Sequence, residues 1–143
     1  MKTDLQKVLS ISGYPGLFTL VSQGRNGVIV ESLVSKKRMN ASGNTRITEL
    51  ADVAIYTDDD DVALKDVLRK IKEIYNGAPA VNHKSDEATL REFMTSVLPN
   101  YDRSRVYISH IKKIAEWYNL LQAYDMLDFE DVEKENDAKE NKE

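Results

Sequence analysis

The sequence predicts an α+β chain, with strands first and helices after. Two observations carry that class. Short β-branched runs and closely set turns fill the first 57 residues, and from residue 62 onward apolar residues recur at helical spacing. A third observation marks the change of regime: Asp58, Asp59, Asp60 and Asp61 stand in a row and break the β pattern.

Taken in order, Thr3-Asp4-Leu5-Gln6 fits a capping box with Thr3 as N-cap, and Leu5, Val8 and Leu9 share one face of a short helix. Ser12-Gly13 ends it, and Pro15-Gly16 signals a turn. Residues 17–22 (LFTLVS) alternate as a strand does, with Phe18 and Leu20 on one face and Leu17, Thr19 and Val21 on the other. Gly24-Arg25-Asn26-Gly27 supplies the residues a tight hairpin turn demands, and residues 28–33 (VIVESL) return as a second strand. Residues 36–41 (KKRMNA) read as a third strand. Residues 46–50 are open between strand and helical turn, and residues 53–57 (VAIYT) read as a strand. Four or five short antiparallel strands in so few residues predict a small SH3-like β-barrel.

The four aspartates suit the positive end of a helix dipole, with one of the later ones as N-cap. Leu64, Val67, Leu68, Ile71, Ile74 and Tyr75 then form an amphipathic stripe closed by Asn76-Gly77. Residues 76–85 (NGAPAVNHKS) lack periodicity and read as a linker. Ser85-Asp86-Glu87 starts the next helix, with Leu90, Phe93, Met94 and Val97 apolar and Pro99 beyond its end. Asp102 caps a longer helix to about residue 127. Its two seams are Tyr107, Ile111, Ile114, Tyr118 and Leu121, and Trp117, Leu120, Tyr124 and Leu127. The expected organisation is a barrel with a short N-terminal helix over 1–57 and a connecting helix over 58–77. A linker over 78–85, a helical module over 86–127 and a disordered acidic tail over 128–143 follow.

Composition excludes some chemistry. The chain has 143 residues and no cysteine, which removes disulfides, thiolate metal sites and cysteine nucleophiles. The N-terminus lacks the apolar core of a signal peptide, and no apolar run approaches the roughly 18 residues of a membrane span. The expectation is a soluble, cytoplasmic protein with no membrane partner. The net charge of −4 is unevenly placed: residues 1–57 hold seven basic and four acidic groups, residues 128–143 three and eight.

Motifs that would carry catalysis are missing. The aspartate run lacks the alternating ligands, glycine and closing glutamate of a calcium loop. The two histidines, His83 and His110, have no zinc-type spacing, and no phosphate-binding glycine loop or nucleophile elbow occurs. Neither metal nor cofactor is implied, and catalytic residues are assigned to none of the chain. Two surfaces stand out. One is a basic patch on the barrel made of Arg25, Lys36, Lys37, Arg38 and Arg46. The other gathers Arg103, Arg105, Lys112, Lys113 and Trp117.

The motifs Ile11-Ser12-Gly13, Pro15-Gly16-Leu17, VSQGRNGVIVESL and ADVAIYT occur in order over one continuous stretch. Through them the chain resembles an uncharacterised bacterial family seen in Bacteroidetes, domain of unknown function 5606, over roughly residues 2–75. The second half, with NYDRSRVYISHIKKIAEWYNLL, looks like the separate uncharacterised helical module that accompanies it. The resemblance implies a small SH3-like barrel followed by helices, and no reaction. The expected function is that of a non-enzymatic cytoplasmic adaptor acting through protein–protein contacts, with an unknown protein partner or a second copy of the chain. The alternative is a nucleic-acid- or ribosome-associated barrel using the basic patch.

Overall fold

A computed structural model describes residues 2–42 and 45–129. Five antiparallel strands form the main sheet: β1 (Val8–Ile11), β2 (Tyr14–Gly24), β3 (Gly27–Ser32), β4 (Arg38–Ser42) and β5 (Ile47–Glu49), in the order β4-β3-β2-β1-β5. Three helices, α1 (Leu64–Tyr75), α2 (Glu87–Val97) and α3 (Ile108–Ala123), complete an α+β fold.

The expected helix through Val8 and Leu9 is instead strand β1. Only Leu5–Lys7 turns helically, as a single 3-10 turn capped by Asp4, whose carboxylate accepts the Gln6 N–H at 2.9 Å. Leu9 and Ile11 have pairing partners on both sides, in β2 and in β5, which a short amphipathic helix cannot match. The hairpin at residues 24–27 forms as expected, with Gly24 opposite Gly27 and Arg25-Asn26 at its tip. The segment read as ambiguous supplies β5 and then the 3-10 turn Leu50–Asp52. Among the described residues β4 and β5 pair with one neighbour each, so the sheet has two edges and no closed barrel.

Alternation gives each face its own cluster. Leu9, Ile11, Phe18, Val30 and Ala41 gather on one face. On the other, Val8, Leu17 and Leu33 join Leu50, Leu64, Val67, Leu68 and Ile71, together with the buried seams of α2 and α3. The strand-rich and helical halves therefore share one apolar cluster.

The stretch 53–57 does not enter the main sheet. Its strand β6 (Ala54–Ile55) pairs with β7 (Val62–Ala63), and the four aspartates form the turn between them. None of the four caps α1, whose N-cap is Ala63 without a side-chain bond. Thr57, buried at 2% exposure, organises that turn: its hydroxyl donates to the Asp60 carbonyl at 2.6 Å and accepts the Asp59 N–H at 3.0 Å.

α1 ends as expected, with Asn76 left-handed at φ +54° and the Gly77 N–H donating to the Lys72 carbonyl. Asp86 caps α2 through the Thr89 N–H. Asp102 caps a turn ahead of α3, not α3 itself. Its carboxylate accepts the Ser104 N–H, and the helix begins only at Ile108 with Tyr107 as N-cap. α3 stops at Ala123, followed by Asp125 at φ +57°, short of residue 127.

Residues read as a linker are stapled to α3. Asn119 accepts the Ala80 N–H at 2.7 Å and donates to the Val81 carbonyl at 2.9 Å, Tyr118 donates to the Ala78 carbonyl, and Gln122 to that of Gly77. The start of the expected tail is also held: Phe129 is buried and bridges Thr3, and the Thr3 N–H donates to the Asp128 carbonyl at 2.6 Å. Residues 130–143 of that tail lie outside the described residues.

Candidate binding groove

Packing β6 beside α3 leaves a groove of about 260 Å³ lined by Val53, Ala54, Ile55, Tyr56, Val106, His110, Lys113, Ile114 and Trp117. Its position follows from two local facts. β6 is only two residues long and takes β7 on one edge. The turn capped by Asp102 then swings the chain away before α3 starts, so β6 is faced by Val106 ahead of the helix and by Ile114 and Trp117 on it, with the groove left between.

The lining is mostly apolar, with Tyr56, His110 and Lys113 as its polar side chains. Tyr56 is 42% exposed and Tyr107 59%, which sets them apart from the buried Tyr101 and Tyr118. The Arg105 guanidinium lies 4.3 Å from the centre of the Tyr56 ring and is tied at 2.8 Å to the Asp102 carboxylate. Hydrogen bonds from Ser104 and then from Arg105 hold Asp102 down at about 2, and the same carboxylate raises Arg105. The Tyr107 ring stacks on His110 at 5.3 Å, and the His110 Nδ1 accepts the Tyr107 N–H at 3.2 Å. That bond assigns the proton of a neutral His110 to Nε2. Lys113 is the groove's one lysine or arginine, and Lys112 stands beside it on α3.

Tyr56, His110 and Lys113 are titratable groups on one groove. Among the described residues no hydrogen bond joins them to one another, so no nucleophile–base pair is assembled. No group of three His, Cys, Asp or Glu that could hold a metal ion is found among the described residues. The volume also lies below the roughly 300–1,000 Å³ of small-molecule sites, which suits a few side chains of a peptide better than a cofactor.

The five basic residues singled out on the strand-rich half are dispersed. Arg25 caps the far end of the β2–β3 hairpin, while Lys36 and Lys37 follow the other end of β3. Six residues separate those ends, about 20 Å at roughly 3.3 Å per residue. Arg38 is spent on Glu31, 3.1 Å away on the neighbouring strand. Lys36 sits at φ +64° and places its Nζ 4.7 Å over the Tyr124 ring. Arg46 lies by the β1–β2 turn, where its carbonyl accepts the Ser12 N–H. Of the second set, Lys113 and Trp117 line the groove, and Arg105 lies beside it over the Tyr56 ring. Arg103 turns away to Tyr101, Pro99 and Thr95. Sequence reasoning found Lys113 and Trp117 but missed Ala54, Tyr56 and His110 as wall residues. VAIYT reads as an ordinary strand, and nothing in it announces that it leaves the main sheet to face α3.

Comparison with known proteins places the chain among uncharacterised relatives. Residues 5–50 match the model of Domain of unknown function (DUF5606), and residues 53–121 match Domain of unknown function (DUF6852). A structural genomics target from Bacteroides vulgatus, solved by solution NMR, is 45% identical with a TM-score of 0.70, and the match covers 82% of this chain and 85% of that one. No curated protein matches.

Proposed function

Because this chain belongs to the uncharacterised family in which DUF5606 is followed by DUF6852, whose descriptions name no activity, we propose its role from the groove: a non-enzymatic, cytoplasmic protein-binding module. The single observation behind this reading is an apolar groove lined by the exposed Tyr56 and by Trp117, residue types enriched where proteins meet. The strand-rich half, an SH3-like unit in this reading, acts as the rigid support for the β6–α3 wall. Protein contacts are preferred to nucleic acid because Arg25, Lys37 and Arg46 occupy separate corners. Among the described residues no helix is long and apolar enough to cross a membrane, which is compatible with a cytoplasmic module.

The test is co-purification from native cells with the full chain as bait. A partner retained by the wild type and lost with Tyr56→Ala and with Lys113→Glu supports the reading. A partner held equally by both variants overturns it.

A further inference from the structure

We propose that the open edge of β6 takes an extended, apolar, carboxylate-bearing segment of a partner protein as an added strand. This rests on the groove reading above and names what fills it.

The main-chain geometry leads there. The Leu64 N–H donates to the Val53 carbonyl at 2.9 Å, and Ala54 stands opposite Ala63. Successive residues of an antiparallel strand turn their N–H and C=O groups to opposite edges. Val53 and Ile55 therefore face β7, while Ala54 and Tyr56 face the other way. On that second edge pairing has already begun. The Asp102 N–H donates to the Tyr56 carbonyl at 2.9 Å, Thr57 bridges Tyr101, and the Asp58 N–H donates to the Asn100 carbonyl at 3.0 Å. Residues 100–102 thus lie beside 56–58 as a strand would. The turn after Asp102 then carries the chain off, and exposed Ala54 turns its N–H and C=O to an edge that no strand among the described residues pairs.

That edge and the groove are the same place. The groove is lined by Val53 to Tyr56 and by Val106, which follows closely on the Asp102 that pairs with Tyr56 on that edge. A segment laid there gains main-chain bonds from Ala54 and points alternate side chains at Val106, Ile114 and Trp117. Charge selects its composition. Lys113 lines the groove and makes no ion pair among the described residues, so a carboxylate on the segment fits the α3 wall.

The experiment titrates the full ¹⁵N-labelled chain with an end-blocked Val-Thr-Val-Thr-Glu peptide, whose carboxylate shares the valine face, and with its lysine-for-glutamate counterpart. The expected result is shifted amides over residues 53–56 and 106–117 with slowed exchange of the Ala54 amide. The glutamate peptide should bind more tightly, and Lys113→Glu should invert that preference. Ala54→Pro removes a donor the fold does not use, so it should keep the thermal midpoint and weaken binding about tenfold. N-methylation of the central valine should weaken binding to the wild-type chain similarly. Groove shifts with binding indifferent to both backbone changes overturn strand addition and leave the groove reading standing. Shifts elsewhere, or none, overturn both. Groove amides that move on dilution of the free chain assign the edge to a second copy, and those that move on deleting residues 130–143 assign it to the chain's own tail; either overturns the proposal.

Discussion

At the tip of the β2–β3 hairpin, Gly27 has φ +146°, and a Cβ there would drive into the Ala41 carbonyl on β4. Both neighbours of that contact are main chain inside a ladder, so neither can move aside cheaply. Gly27→Ala should therefore cost about 3 kcal/mol in denaturant unfolding. A loss under about 0.5 kcal/mol would show that β4 swings free of the hairpin. Asp102 illustrates a different kind of residue constraint. Its folded pKa of about 2 is below the ordinary 3.8, so its contribution is present above pH 3.8 and fades as pH falls toward 2. Asp102→Asn should flatten that limb of the thermal midpoint between about pH 4 and pH 2, leaving the rest of the profile unchanged. An unchanged acid limb would assign the acid sensitivity to other carboxylates.

Among elements, the segment 77–82 depends on α3 more than on its own sequence. Asn119 satisfies the Ala80 N–H and the Val81 carbonyl with one side chain, so Asn119→Ala strands two partly buried main-chain groups. The expected cost is about 2 kcal/mol, with faster amide exchange at Ala80 and no comparable change in α2. Exchange left unchanged at Ala80 would remove Asn119 as the staple. This segment also shows what the sequence made legible. Leu90, Phe93, Met94 and Val97 lay on one helical stripe and are all buried, because amphipathic spacing is written locally. So was the Gly24–Gly27 turn, whose residues announce their backbone. Asn119 in an apolar helix gave no sign of bonding a segment nearly forty positions earlier. β1 was hidden because Leu5, Val8 and Leu9 fit a helical face as well as a strand. Its pairing with β5 depends on residues far along the chain. The groove was half legible: Trp117 and Lys113 share a helix, while its other wall comes from β6, some sixty residues earlier, and only the fold brings them together.

For the whole molecule, the deciding fact is that Leu17 and Leu33 of the strand-rich half belong to the same buried cluster as Ile71, Met94, Tyr118 and Leu121. Two family models split the chain near residue 51, but no apolar boundary follows that split, since Leu50, Ile55 and Leu64 pack together across it. Domains that unfold separately need separate cores. This chain should unfold in one transition. Trp117, the sole tryptophan, reports from the helical half, and the amides of β2 and β3 report from the other. Their midpoints in urea should coincide. Leu33→Ala, which opens the shared cluster from the sheet side, should cost about 2–5 kcal/mol and move both midpoints together. If the β2 and β3 signals shift while Trp117 holds its midpoint, the halves are independent. The β6–α3 groove would then rest on the helical half alone.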